Sequence, residues 1–139
     1  MKGDGVDKKA GYVLFMVDVD AYTPMDARAK LELHWLVHSI PGTITPCQDL
    51  GLSGEIAIHY IRPQRTFYFK GSYGIHRLYI ILFKQANPTE AITYEGYLKG
   101  VSLRNVTRDL NLGYPVAGGG YYLNYTSKSI YSATHRIHT

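Results

Sequence analysis

The stretch 31–42, LELHWLVHSIPG, constrains this chain more than any other. It is apolar along nearly its whole length, long enough for a strand, and closed by the turn pair Pro41-Gly42. Alternation puts His34, Leu36, His38 and Ile40 on one face and Trp35, Val37 and Ser39 on the other. A strand apolar on both faces belongs in the middle of a sheet. His34 sits near the start of that strand, and an imidazole in so apolar a setting requires a polar partner.

Two other segments offer one. Residues 12–21 form an apolar strand that ends in Asp18 and Asp20, and Gly74-Ile75-His76-Arg77 leads into the buried strand 78–83. Convergence of these ends would make a small polar pocket in an apolar sheet. Elsewhere, residues 55–61 alternate as a strand and stop at Pro63. Residues 102–112 read as a helix with Ser102 as N-cap, an apolar face of Leu103, Val106 and Leu110, and Gly113 as its stop. Residues 115–120 read as a tight turn allowing close approach and feeding a strand at 121–125. A helical turn is expected at 25–30, a loose arm at 1–10 and a polar tail at 127–139, all within one domain spanning 1–139.

Four motifs occur in order: Asp18-Val19-Asp20-Ala21, His34-Trp35-Leu36-Val37 with Ile40-Pro41-Gly42, Gly74-Ile75-His76-Arg77, and Gly113-Tyr114-Pro115-Val116-Ala117-Gly118. Together they resemble the phosphatidylethanolamine-binding protein family, which includes kinase-inhibitory and plant flowering-regulator members. The resemblance implies a mainly β fold: an antiparallel sheet core, a smaller sheet or hairpin, and one or two peripheral helices. It also implies a non-enzymatic binding protein without a cofactor. Asp18, Asp20, His34, Pro63 and His76 would line an anion pocket for a phospholipid head group, a phosphorylated small molecule or a phosphorylated peptide, regulating a signalling partner. A carboxylate there would accept from a histidine nitrogen rather than touch the phosphate.

The departures fall on the rim. The family has proline at the positions of Val19 and Tyr22, an aromatic at Glu32, a second proline at Gln64 and an aromatic at Leu78. Between Arg65 and Tyr73 the chain carries an insertion with Phe67, Tyr68 and Phe69, a lid or a docking loop for a protein partner. Family members carry further N-terminal strands. Here the domain is pared down, or the chain is a fragment, or a partner covers the exposed N-terminal edge. The same motifs are similar to a mitochondrial large-ribosomal-subunit protein built on this domain. That alternative would bring RNA contact and a mitochondrial location.

Other chemistries are weaker. His34 and His38 are four apart, which on a strand is roughly 13 Å and too far for one ion, so no metal is expected. Cys47 is alone, which excludes an intrachain disulfide. Ser53 lacks the strand-to-helix elbow of a hydrolase, and Gly118-Gly119-Gly120 is not followed by the Lys-Ser/Thr of a phosphate loop. The net charge of +4 is spread without a dense run, a solvated surface that still permits contact with phosphates. The first residues hold no apolar core for a signal peptide and no run reaches spanning length, so a soluble cytoplasmic protein is expected.

Overall fold

A computed structural model describes residues 7–21, 30–43, 49–63, 74–125 and 133–138. The helical turn expected at 25–30 falls almost wholly outside them, as does the 65–73 insertion. The elements are β1 (Gly11–Asp18), β2 (Lys30–Pro41), α1 (Leu50–Ser53), β3 (Glu55–Ile58), β4 (Gly74–Gln85), β5 (Lys99–Ser102), α2 (Leu103–Asp109), β6 (Pro115–Tyr125) and β7 (Ala133–His138). The strands make one sheet in the order β3-β2-β1-β4-β6-β7. β5 also pairs with β2, and every described pairing is antiparallel. No helix among the described residues is long and apolar enough to cross a membrane.

β2 is an interior strand, as expected, with β1 on one side and β3 and β5 on the other, and its neighbour β1 is the more deeply buried. All eight residues of β1 are buried, because it is flanked by β2 and β4 and covered on both faces. Its odd positions Val13, Phe15 and Val17 join Leu33, Leu36 and Phe83 against Val106 of α2, with Leu103 and Leu110 beside it. The helix presents the face its spacing predicts, and the Ser102 hydroxyl accepts from the Asn105 N–H at its start. Phe15 meets Phe83 edge-on at 5.6 Å, the geometry aromatic quadrupoles favour. The even positions Tyr12, Leu14 and Met16 pack with Val37, Ile40, Leu78 and Leu82 on the other face. Each such large side chain contributes about 1.5–3 kcal/mol by leaving water.

Strict alternation fails in β2, where two β-bulges interrupt its pairing with β1. Met16 faces Trp35 and the next residue, Val17, faces Leu33, so His34 is an extra residue. A bulge puts two successive side chains on one face. His34 and Trp35 therefore share a side that alternation would have divided. A second irregularity lies between Tyr12↔Ile40 and Leu14↔Val37. There Ser39 takes the left-handed conformation at φ 56°, which side-chain-bearing residues seldom adopt.

Two expectations at the other side of the sheet need correction. Residues 115–120 are not a turn but the first half of β6, with Gly118, Gly119 and Gly120 opposite Ile81, Ile80 and Tyr79. The close approach is real: a Cβ on Gly120 would lie 2.6 Å from the Leu78 carbonyl oxygen. Within the polar tail, Ala133–His138 is a strand that pairs with β6. An edge strand needs its main chain, not an apolar face, to pair.

Candidate functional site

The end of β1 places Asp18 between two strands. It lies opposite Glu32 of β2 and Leu78 of β4. Two residues from Leu78 along β4, His76 lies on the same face and turns its Nδ1 to Asp18 Oδ2 at 2.7 Å. A carboxylate only accepts, so that nitrogen carries the proton. The other Asp18 oxygen accepts from the Asp20 backbone N–H at 2.8 Å.

The first bulge of β2 supplies the third group. His34 is 3% exposed. Its Nδ1 donates to the Ile61 carbonyl at 2.7 Å, and the Ile61 N–H donates back to the His34 carbonyl at 2.8 Å. This clamp fixes both ring plane and tautomer. In the neutral ring, Nε2 therefore holds a lone pair. It is buried and has no hydrogen-bond partner among the described residues. The nearest charged atom is Glu32 Oε2 at 3.7 Å. One donor atom from each of Asp18, Glu32 and His34 lies within 4.8 Å of the others.

Asp18, His34 and His76 thus come together on one side of the sheet. Pro63 is buried, two residues beyond Ile61. Among the described residues the Asp20 carboxylate accepts its hydrogen bonds from Arg77 rather than from a histidine. Its two oxygens take Arg77 Nε at 2.8 Å and Nη2 at 2.9 Å, and Oδ2 also accepts the Arg77 N–H at 2.8 Å. Burial pushes the Asp20 carboxyl up, but the Arg77 hydrogen bonds and charge outweigh it and hold the group below the ordinary carboxylate range. The same pairing raises the Arg77 guanidinium.

Sequence reasoning missed Glu32 as a member of the site. Its side chain is 22% exposed, and its other oxygen lies 4.0 Å from Lys99 Nζ. The sequence held one signal, a carboxylate where the family carries an aromatic; the β1–β2 register that sets Glu32 across from Asp18 is seen only in the fold.

No family model matches the chain. Among curated proteins, Protein CENTRORADIALIS-like of Arabidopsis thaliana is 33% identical over 113 residues. Protein FLOWERING LOCUS T of Arabidopsis thaliana is 32% identical over 117 residues, and Protein SELF-PRUNING of Solanum lycopersicum 32% over 113. All three are phosphatidylethanolamine-binding proteins. The chain is a divergent member of that family. These alignments take in 81–84% of its residues but only 58–60% of each relative, so it spans about three fifths of the length of the relatives it matches. In this chain Asp18, His34 and His76 lie on one side of the sheet, with Glu32 beside Asp18 and His34.

Proposed function

We propose that this chain is a non-enzymatic binding protein that holds a phosphate-bearing ligand, of the glycerophosphodiester or phosphopeptide kind, beside Asp18, His34 and His76. The observation that carries this reading is the Asp18–His76 pair. The carboxylate takes the Nδ1 proton and sets the plane of the ring, and Nε2 of the protonated ring would donate a charge-assisted bond to a phosphate oxygen brought against it. His34, held by Ile61, adds a second ring on the same face. Family membership supports binding rather than turnover.

Calorimetric titration with glycerophosphoethanolamine tests the reading. The wild-type chain should bind, His76→Ala should weaken binding by about tenfold or more, the value of one charge-assisted bond, and Asp20→Asn should leave it unchanged. Equal affinity in His76→Ala would make the ring structural and remove the pocket.

A further inference from the structure

We propose that Asp18, Glu32 and His34 form a divalent-cation site of the zinc or manganese class, and that the phosphate ligand reaches the pocket by completing that ion's coordination. Metal binding stands on the cluster alone; only the second half rests on the pocket reading above.

The argument starts from the His34 tautomer. The Ile61 carbonyl requires the proton on Nδ1, so the neutral ring points a lone pair at Glu32 Oε2, 3.7 Å away. Both atoms are acceptors, so the buried Nε2 of the neutral ring stays unsatisfied unless a cation stands between it and the partly exposed Glu32. The Asp18 carboxylate adds a second negative group within the same 4.8 Å. Its oxygens each accept one hydrogen bond, from His76 and from the Asp20 N–H, and each keeps a further lone pair. Lys99 offsets part of the charge, but it sits 4.0 Å away on the outer Glu32 oxygen and is half exposed. A cation seated among Nε2 and the two carboxylates satisfies all three donors together.

The surroundings fit a metal site in detail. A ligating histidine typically gives its second N–H to a carbonyl, as His34 does to Ile61, and a ligating carboxylate is itself hydrogen-bonded, as Asp18 is. One imidazole nitrogen with two carboxylate oxygens suits zinc or manganese better than the all-oxygen shells of calcium or magnesium. Metal–ligand bonds of about 2.0–2.2 Å put tetrahedral donors roughly 3.3 Å apart, near the His34–Glu32 separation already present. The remaining closure falls to Glu32, the most exposed of the three. Three protein ligands leave a coordination position open. A phosphate oxygen there would meet a cation, where otherwise it would meet two carboxylates.

The test uses the whole chain with Zn2+ alone in competition with a chromophoric chelator, and Mn2+ for magnetic resonance. Wild type should take up one equivalent. Glu32→Gln and His34→Gln should each weaken uptake at least tenfold, while His38→Gln, another buried histidine, should not. Unchanged uptake in both site variants overturns the site. Should those variants fail to fold, the wild-type spectrum decides. Mn2+ should broaden the His34 ring protons well before those of His38; equal broadening, or none, overturns the site. Glycerophosphoethanolamine is then titrated with Zn2+ and with chelator. Binding only with Zn2+ supports the bridge. Equal binding in both removes the bridge and keeps the pocket, and zinc uptake without phosphodiester binding keeps the metal and removes the pocket.

Discussion

Strand β2 carries two bulges against the same neighbour, and they differ in how their polar groups end. At Ser39 the polar groups close on one another. The Ser39 N–H donates to Gln85 Oε1 at 2.9 Å, and Gln85 Nε2 donates to the Asn87 and Glu90 carbonyls at 2.8 and 2.7 Å. His38 Nδ1 lies 2.9 Å from Ser39 Oγ, and among the described residues its Nε2 lies 3.6 Å from one carboxylate only, that of the well-exposed Glu55. At His34 the network stays open: one ring nitrogen is clamped, while the other faces carboxylates. A closed buried network fixes structure, whereas an open one holds groups ready for something else. The same backbone irregularity thus serves as scaffold at one end of the strand and carries the proposed site at the other.

The largest expected effect tests the closed bulge. Gln85→Leu removes three hydrogen bonds and strands the Ser39 N–H, which should cost about 3 kcal/mol in urea denaturation and leave glycerophosphoethanolamine binding intact. A loss below about 1 kcal/mol would mean that the network does not hold this bulge. Next, Ser39→Val places a β-branched residue at φ 56° and should be destabilising by about 2 kcal/mol relative to Ser39→Gly, which accepts that conformation freely. Equal melting temperatures for the two would show that the bulge relaxes.

Smaller again is Asp20→Asn, at about 1 kcal/mol near neutral pH, since the pair with Arg77 is partly exposed. The Asp20 carboxyl is held below its ordinary value. Its stabilisation is therefore full above the unfolded value of about 3.9 and disappears as pH falls through the lower folded value. Wild type and variant should differ by a constant amount from pH 8 to pH 6 and converge in stronger acid. Divergence on acidification would reverse the assignment. The smallest effect belongs to the open bulge. In chelator-treated protein, Glu32→Gln should change stability by less than about 0.5 kcal/mol, because it relieves the carboxylate pair while losing a weak contact with Lys99. A loss above about 1 kcal/mol would show that Glu32 holds a protonated His34 and that this bulge is closed too.

What could be read from the sequence were the features with a local period. β1 and β4 announce themselves as apolar runs, and α2 by its cap and by Leu103, Val106 and Leu110. Asp18, His34 and His76 were legible as polar residues on the apolar runs of β1, β2 and β4. Register was not. The bulge at His34 has no composition of its own, and only the pairing of Val17 with Leu33 reveals it. Glu32 looked like a lost aromatic because its partner, Asp18, lies across the strand. Gly118, Gly119 and Gly120 have the composition of a turn, yet they lie in β6, where the Gly120 backbone passes too close to Leu78 for a side chain. Residues 133–138 pair through the main chain, which leaves no apolar signature.

The position of β1 between β2 and β4 has a kinetic side. Its contacts with β4 join residues separated by 60 positions, Asp18 to Leu78, up to 74, Gly11 to Gln85. Loop closure on that scale precedes any gain from pairing, so refolding belongs with the slow, non-local β topologies, in the range of about milliseconds to seconds. Until β4 arrives, the octet GYVLFMVD has no second neighbour and exposes a β-prone apolar segment. Material trapped on refolding should therefore be aggregated through β1, and a Lys substitution at Val13 would trade native stability for escape from that trap.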